Sequence, residues 1–480
     1  MMIPRPVFIG IMIFMAMLGS FQLLSNDALA IAVFLLAFYQ FYHAIEEYIP
    51  IVEITGVIAS LQWLVGPVIG YNYGTIAERY EMYVPANEYF AFALPATCLF
   101  LAGLSTFNLR WNDRAFLSSI REPMFFQIGI MLFVISLVAQ FLQYRVGGSL
   151  AFLFFLLAQL RYVAALYFLF SGHHYRWIMF AICVGTLFVR SAESAMFHDL
   201  IIWMALLGCF WYQTTRIRSG QKILLFLTGL LGVFIIQLAK TDYREEVWSG
   251  RESASLVQTV YDKIVNDQAF ADKDALQAAG QRINQGWIIS AVMLNVPRVE
   301  PYAEGETIKN AFIGAVFPRA VLKNKAMAGG QETFVRFTGL NLEKGTSMGI
   351  SIIGEGYANF GGFGGSIFMF AWGAVYSGIY CLIRKKVTVS PSFVFWVPLI
   401  FYQAIKAETE LLVVLNQLTK GSIVAFGVFF AINQIAGGDV LSKGGTNDQN
   451  SRLGLSSDTQ NMIQILVLTL LIAGLIFGSE

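Results

Sequence analysis

Charged and polar side chains are expensive at membrane depth, so those set beside or inside apolar runs are the first candidates for chemistry. The stretch "GTSMGISIIGEGYANFGGFGG", Gly345 to Gly365, places one carboxylate, Glu355, with Tyr357 and Asn359 among glycines just before an apolar run. "FPRAVLKNKAMAGGQETFVRF" sets Arg319, Lys323, Lys325 and Arg336 against a single acid, Glu332. Guanidinium binds phosphate oxygens bidentately and lysine adds point charge, so this group suits a pyrophosphate; a solvated basic loop drawn to anionic lipid heads is the simpler alternative. "IIQLAKTDYREEVW" brings Lys240, Tyr243 and Arg244 out of an apolar run together, with Lys240 and Arg244 on one helical face. Snorkelling and an aromatic belt would account for the same residues.

Further polar groups lie inside or at the ends of apolar runs. "VRSAESAMFHDLIIW" holds Arg190, Glu193, His198 and Asp199; "AIKAETELLVVLNQLTKGSIVAF" holds Lys406, Glu408 and Glu410, with Asn416 and Lys420 deeper. Each is a site candidate facing the interior or a watery cavity, while Lys406, Glu408 and Glu410 read equally as a mutually satisfied patch at a helix end. Asp272 and Asp274 in "ADKDAL" form a nominal Asp-x-Asp within a helix-like charged face, and His173-His174 reads as an interfacial pair. No Walker glycine loop and no His-Glu-x-x-His occur, and all four cysteines lie in or beside apolar runs, so no metal site, disulfide framework or cofactor is expected.

The elements that must hold these residues are transmembrane helices. Of 480 residues 56% are hydrophobic and only 13% charged, about half the charge of a soluble chain. Spans are expected near 7–24, 28–44, 54–72, 88–106, 124–142, 149–171, 177–190, 195–213, 221–239, 366–383, 392–405, 411–436 and 462–478, so the count is about 12–14. Gly and Pro interrupt the third. The loops "LRWNDRAFLSSIRE", "TTRIRSGQK" and "IRKK" each carry three positive charges, which places the N-terminus in the cytoplasm. A net charge of +1 suggests no nucleic-acid partner.

Four regions follow: an N-terminal bundle, 1–239; an extracytoplasmic loop domain, 240–358, helical and then irregular because of Pro297, Pro301, Pro318 and its glycines; further spans, 359–436; and a polar linker with a last span, 437–480. The fold class is an all-α polytopic integral membrane protein with one large extracytoplasmic loop.

Three stretches in order, "KTDYR" after a span, "FPRAVLKNKAMAGG" in the outer loop and "GTSMGISIIGEGYANFGGFGG" before the next span, carry a resemblance. The chain resembles the bacterial O-antigen and exopolysaccharide polymerases, the Wzy-type oligosaccharide repeat-unit polymerases, over most of its length. Arg319 with Gly330 also fits the Arg-x(10)-Gly pattern of some members, although no second copy is found. The resemblance implies a GT-C-like, inverting, metal-independent glycosyltransferase of the bacterial cytoplasmic membrane. Its substrates would be undecaprenyl-pyrophosphate-linked oligosaccharides, in contact with membrane lipids and with a chain-length regulator as a further partner.

In that reaction an acceptor hydroxyl attacks the anomeric carbon and lipid pyrophosphate leaves. Preorganised cations are then most useful at the leaving group, and Lys240, Arg244, Arg319 and Lys325 are the candidates, with Arg282 and Arg336 as second choices. Glu355 is the expected general base, with Asp199 and His198 in reserve. The glycines around Glu355 would form a thin backbone floor on which Tyr357 and Asn359 meet the sugar, Asn359 holding a hydroxyl. A lipid-linked oligosaccharide flippase and an O-antigen ligase are the alternative functions.

Overall fold

The computed structural model describes residues 2–74, 78–107, 111–143, 145–215, 219–248, 256–262, 277, 280–281, 283–317, 330–343 and 346–435. Among these, every regular element is helical. The first half of the chain supplies α1 (Arg5–Ser20), α2 (Asn26–Ala44), α3 (Ile51–Ser60), α4 (Gly66–Tyr73), α5 (Ala86–Leu104), α6 (Asp113–Ser119), α7 (Met124–Gln143), α8 (Gly148–Ala158), α9 (Leu160–Leu169), α10 (Arg176–Ser194), α11 (His198–Thr214) and α12 (Ser219–Trp248). Then come α13 (Leu256–Tyr261), α14 (Gly286–Asn295), α15 (Glu306–Val316), α16 (Gln331–Thr338), α17 (Ser351–Val389), α18 (Val397–Phe401) and α19 (Leu411–Ile435).

Eight helical stretches among the described residues are long and apolar enough to cross a bilayer. The chain is therefore an all-α polytopic membrane protein. Every expected span up to residue 436 falls on helix, but α1 and α11 have only 16 and 17 residues. The expected span 392–405 is two short pieces, a 3-10 turn Pro391–Trp396 and α18, after which the backbone leaves helical form until Leu411. The expected span 462–478 lies outside the described residues.

The third span is broken by a π-turn, Leu61–Val65, rather than stopped by its Gly and Pro. Gly66 N–H bonds back to Leu61 O, and Pro67 has no N–H to give, so the carbonyls of Gln62 and Trp63 lose their helical donors. Gln285 N–H fills the first at 3.1 Å and the Tyr89 hydroxyl fills the second at 2.8 Å. A Cβ on Gly66 would sit 2.7 Å from Asn284 Cα, so glycine is what lets the 283–285 backbone reach the turn.

The loop region departs from its expected irregular second half. α14, α15 and α16 are helices, and α14 is an apolar helix with most of its residues buried against α17, α16 and the π-turn. Trp287, Ile288 and Val292 of α14 join Phe334, Phe337 and Ile350 in a second hydrophobic core. Prolines break helices only when they fall inside them; Pro297 and Pro301 lie between α14 and α15.

The glycine-rich stretch is a helical hairpin and not a floor. α17 turns at Gly361, φ +67° and ψ −167°, and doubles back so that Gly356 meets Gly365 and Phe368. A Cβ on Gly365 would lie 3.0 Å from the Gly356 carbonyl carbon and oxygen, so small residues permit the contact. Residue 358 lies inside the first arm, so the expected boundary at 358 cuts a helix. Backbone N–H groups of Ala303 and Glu304 satisfy the end of that arm, at the carbonyls of Ala358 and Asn359. The second arm packs on α5 through Gly103 and Gly373, where an added Cβ would meet facing carbonyls at 2.3 and 2.5 Å. At its far end the buried Arg384 holds Asp113 with a two-pronged ion pair, one bond of 2.9 Å, and Asp113 also accepts Ile49 N–H at 2.9 Å.

Candidate functional site

The non-helical segment between α18 and α19, residues 402–410, carries Lys406, Glu408 and Glu410. Three outside elements hold it. Trp63, on the π-turn, donates from Nε1 to Ala407 O at 3.2 Å. Gly349 packs against Glu408 O and Glu410 N. The Glu355 carboxylate accepts Leu411 N–H at 3.0 Å, at the N-terminus of α19.

On this segment Lys406 and Glu408 find partners from the start of α11. Lys406 Nζ lies 3.1 Å from Asp199 Oδ1 and 4.3 Å above the Tyr402 ring. His198 Nδ1 lies 3.2 Å from Glu408 Oε1. The expected self-satisfied patch of Lys406, Glu408 and Glu410 is thus replaced by two pairs to sequence neighbours His198 and Asp199. Access separates the acids: Asp199 and Glu408 side chains are 46% and 35% exposed, whereas Glu355 and Glu410 keep only 3% and 4% of their residue surface.

The α10–α11 corner bearing His198 also receives the C-terminal end of α12. Ala195 adopts the left-handed conformation, φ +52°, which turns the chain between the two helices. Tyr243 donates its hydroxyl to Ala192 O at 3.1 Å, and Arg244 reaches Ala195 O at 3.5 Å. The Tyr243 ring also lies 6.0 Å from that of Phe197, so "KTDYR" and "MFHD" meet. Of Lys240 only the backbone is described, and Arg282, Arg319, Lys323 and Lys325 lie outside the described residues. Gly330 itself packs on Met348 and Gly349. Gly330 has φ +73°, and a Cβ would meet Met348 O at 2.4 Å.

Other expected site residues have structural work instead. Glu355 is buried and bonded to Leu411 N–H and the Thr307 hydroxyl, so it ties the hairpin to α15 and α19. Asn359 does not face a sugar: its amide donates to Thr307 Oγ1 at 2.7 Å and Glu355 O at 2.8 Å, and its oxygen accepts Gly305 N–H at 2.9 Å. Arg336 is occupied by two acids, Glu300 at 2.6 Å and Glu306 through two bonds of 3.1 Å. The bonds to Glu306, and next to Glu300, push its guanidinium further above the usual range. Tyr357 packs its ring 4.9 Å from Phe92 of α5, and Lys420 lies 4.9 Å over the Phe152 ring, away from the cluster.

The His198–Glu408 pair, the Trp63 anchor and the Thr307 bond escape sequence reading because their partners stand 210, 344 and 48 residues apart.

The family model described as a domain of unknown function, DUF8712, matches residues 80–386, more than half of the chain. The chain belongs to the DUF8712 family. No curated protein and no solved structure matches it. The DUF8712 match contains His198, Asp199, Tyr243, Arg244 and the whole Gly345–Gly365 stretch, and ends before Lys406 and Glu408.

Proposed function

We propose that the protein is a GT-C-like, inverting, metal-independent glycosyltransferase of a bacterial cytoplasmic membrane. It joins undecaprenyl-pyrophosphate-linked oligosaccharide repeat units into a surface polysaccharide on the outer side. One observation carries the reading: Lys406 pairs with Asp199 at 3.1 Å and His198 with Glu408 at 3.2 Å, so two acid–base pairs link residues 198–199 to residues 406–408. Such a cluster holds accessible carboxylates beside a cation and an imidazole, the residue types that the reaction requires. The acceptor hydroxyl forms its bond to the anomeric carbon, and the bond to the pyrophosphate oxygen breaks with its electron pair. Lysines and arginines at that oxygen stabilise the charge that develops there. Tyr243, buried, and Arg244 fix the end of α12 on the same corner.

The test is direct. Purified protein is given lipid-pyrophosphate repeat units with neither nucleotide nor ion gradient. A ladder of longer glycans is the expected product, and Arg319→Ala in a folded protein abolishes it. Movement of the units between leaflets without chain growth would instead make the protein a flippase. Transfer only to a non-repeat acceptor would make it a ligase.

A further inference from the structure

We propose that Glu408 takes the proton of the acceptor hydroxyl, with His198 as the residue that positions it. This rests on the glycosyl-transfer reading above. Four acids stand near the segment 402–410, and geometry separates them. Glu355 is buried and caps α19. Glu410 is buried, at 4% exposure. Asp199 is engaged by the Lys406 ammonium at 3.1 Å, an ion pair that fixes Lys406 over the Tyr402 ring. Glu408 is the acid that combines an accessible carboxylate with a neutral-capable partner, the imidazole of His198 at 3.2 Å.

With Glu408 ionised, His198 Nδ1 carries the hydrogen and donates it to Oε1. A carboxylate has two oxygens, so one is oriented by the imidazole while the other can meet a hydroxyl. The backbone beneath is held on both sides, by Trp63 on Ala407 and by Gly349 against Glu408 O, so the carboxylate sits on a fixed platform although its segment is not helical. The balance is simple. The acceptor oxygen bonds to the anomeric carbon, pyrophosphate leaves with the electron pair of the broken bond, and the hydroxyl proton passes to Glu408 and then to water.

The experiment is the ladder assay with defined donor and acceptor concentrations. Glu408→Gln lowers kcat by about 10²–10⁴-fold with little change in the donor KM, because it removes a proton acceptor and not a binding contact. Glu408→Asp, which keeps the charge one methylene further back, gives a second readout with at least a roughly tenfold loss in kcat. His198→Asn, whose side-chain N–H occupies the Nδ1 position, retains most of the turnover, whereas His198→Leu loses it; a merely structural histidine would not show that rescue. A working wild type whose Glu408→Gln variant turns over within about threefold of it removes Glu408 as the base. A folded wild type that makes no ladder removes the glycosyl-transfer reading and this inference together.

Discussion

Removing the Glu355 side chain tests whether it is a structural cap or the base that its position in the sequence suggests. In Glu355→Ala two donors lose their acceptor, the buried Leu411 N–H at the start of α19 and the half-buried Thr307 hydroxyl. Leu411 N–H is one of the first N–H groups of its helix and has no intrahelical acceptor. A buried group left unpaired costs about 1–3 kcal/mol, whereas the half-buried hydroxyl can turn to water, so the variant should lose about 1–3 kcal/mol of unfolding free energy. Glu355→Gln keeps one oxygen for Leu411 and an amide against Thr307 Oγ1, whose hydroxyl can rotate to accept, so it should lose only about 1 kcal/mol. Thr307→Val in the Ala background should be cheaper than the two changes summed, with a coupling of about 0.5–3 kcal/mol, because they share a network with Asn359. Denaturation in mixed micelles, followed by tryptophan fluorescence, measures all three against ladder formation in the same preparation. An Ala variant that unfolds at the wild-type midpoint would refute the cap. A Gln variant of wild-type stability whose turnover falls about a hundredfold would restore Glu355 as the base and displace Glu408.

Asp113→Ala strands the buried Arg384 guanidinium and should destabilise the protein by about 3–5 kcal/mol, whereas Asp113→Leu with Arg384→Met should recover most of that loss in the same denaturation assay. Gly330→Ala combines a disfavoured positive φ with a 2.4 Å approach to Met348 O, so it should lower stability by more than about 1 kcal/mol and loosen the 330–349 contact, seen as faster amide exchange at Gly349. Arg336→Ala should leave the donor KM within about twofold and stability within about 1 kcal/mol, because its partly exposed fork is held by Glu300 and Glu306; a large rise in donor KM would return it to phosphate binding.

Much of the architecture is legible in the sequence because membrane helices announce themselves through length and apolarity alone. Runs such as 28–44 and 88–106 land on α2 and α5 because a bilayer admits only segments that satisfy their own backbone. The same rule hides the exceptions. α14 is short and apolar, so it reads as loop, and it is buried by α16 and α17 and by the π-turn, which Gly66 lets the 283–285 backbone approach. The glycines between 354 and 365 could belong to a loose floor or to close packing; the positive φ at Gly361 and the Gly356–Gly365 contact decide for packing.

For the site, residue type and membrane position marked His198, Asp199, Lys406 and Glu408 as unusual, since an ionisable group in a span needs a reason to be there. Which of them pair was a matter of tertiary structure. Lys406 and Glu408, two residues apart, turn from each other to Asp199 and His198, and Glu355 turns inward to a helix end. A one-dimensional sequence carries the cost of each charge locally, but the partner that offsets it stands on another helix, and only the packing of α11, α17 and α19 brings the two together.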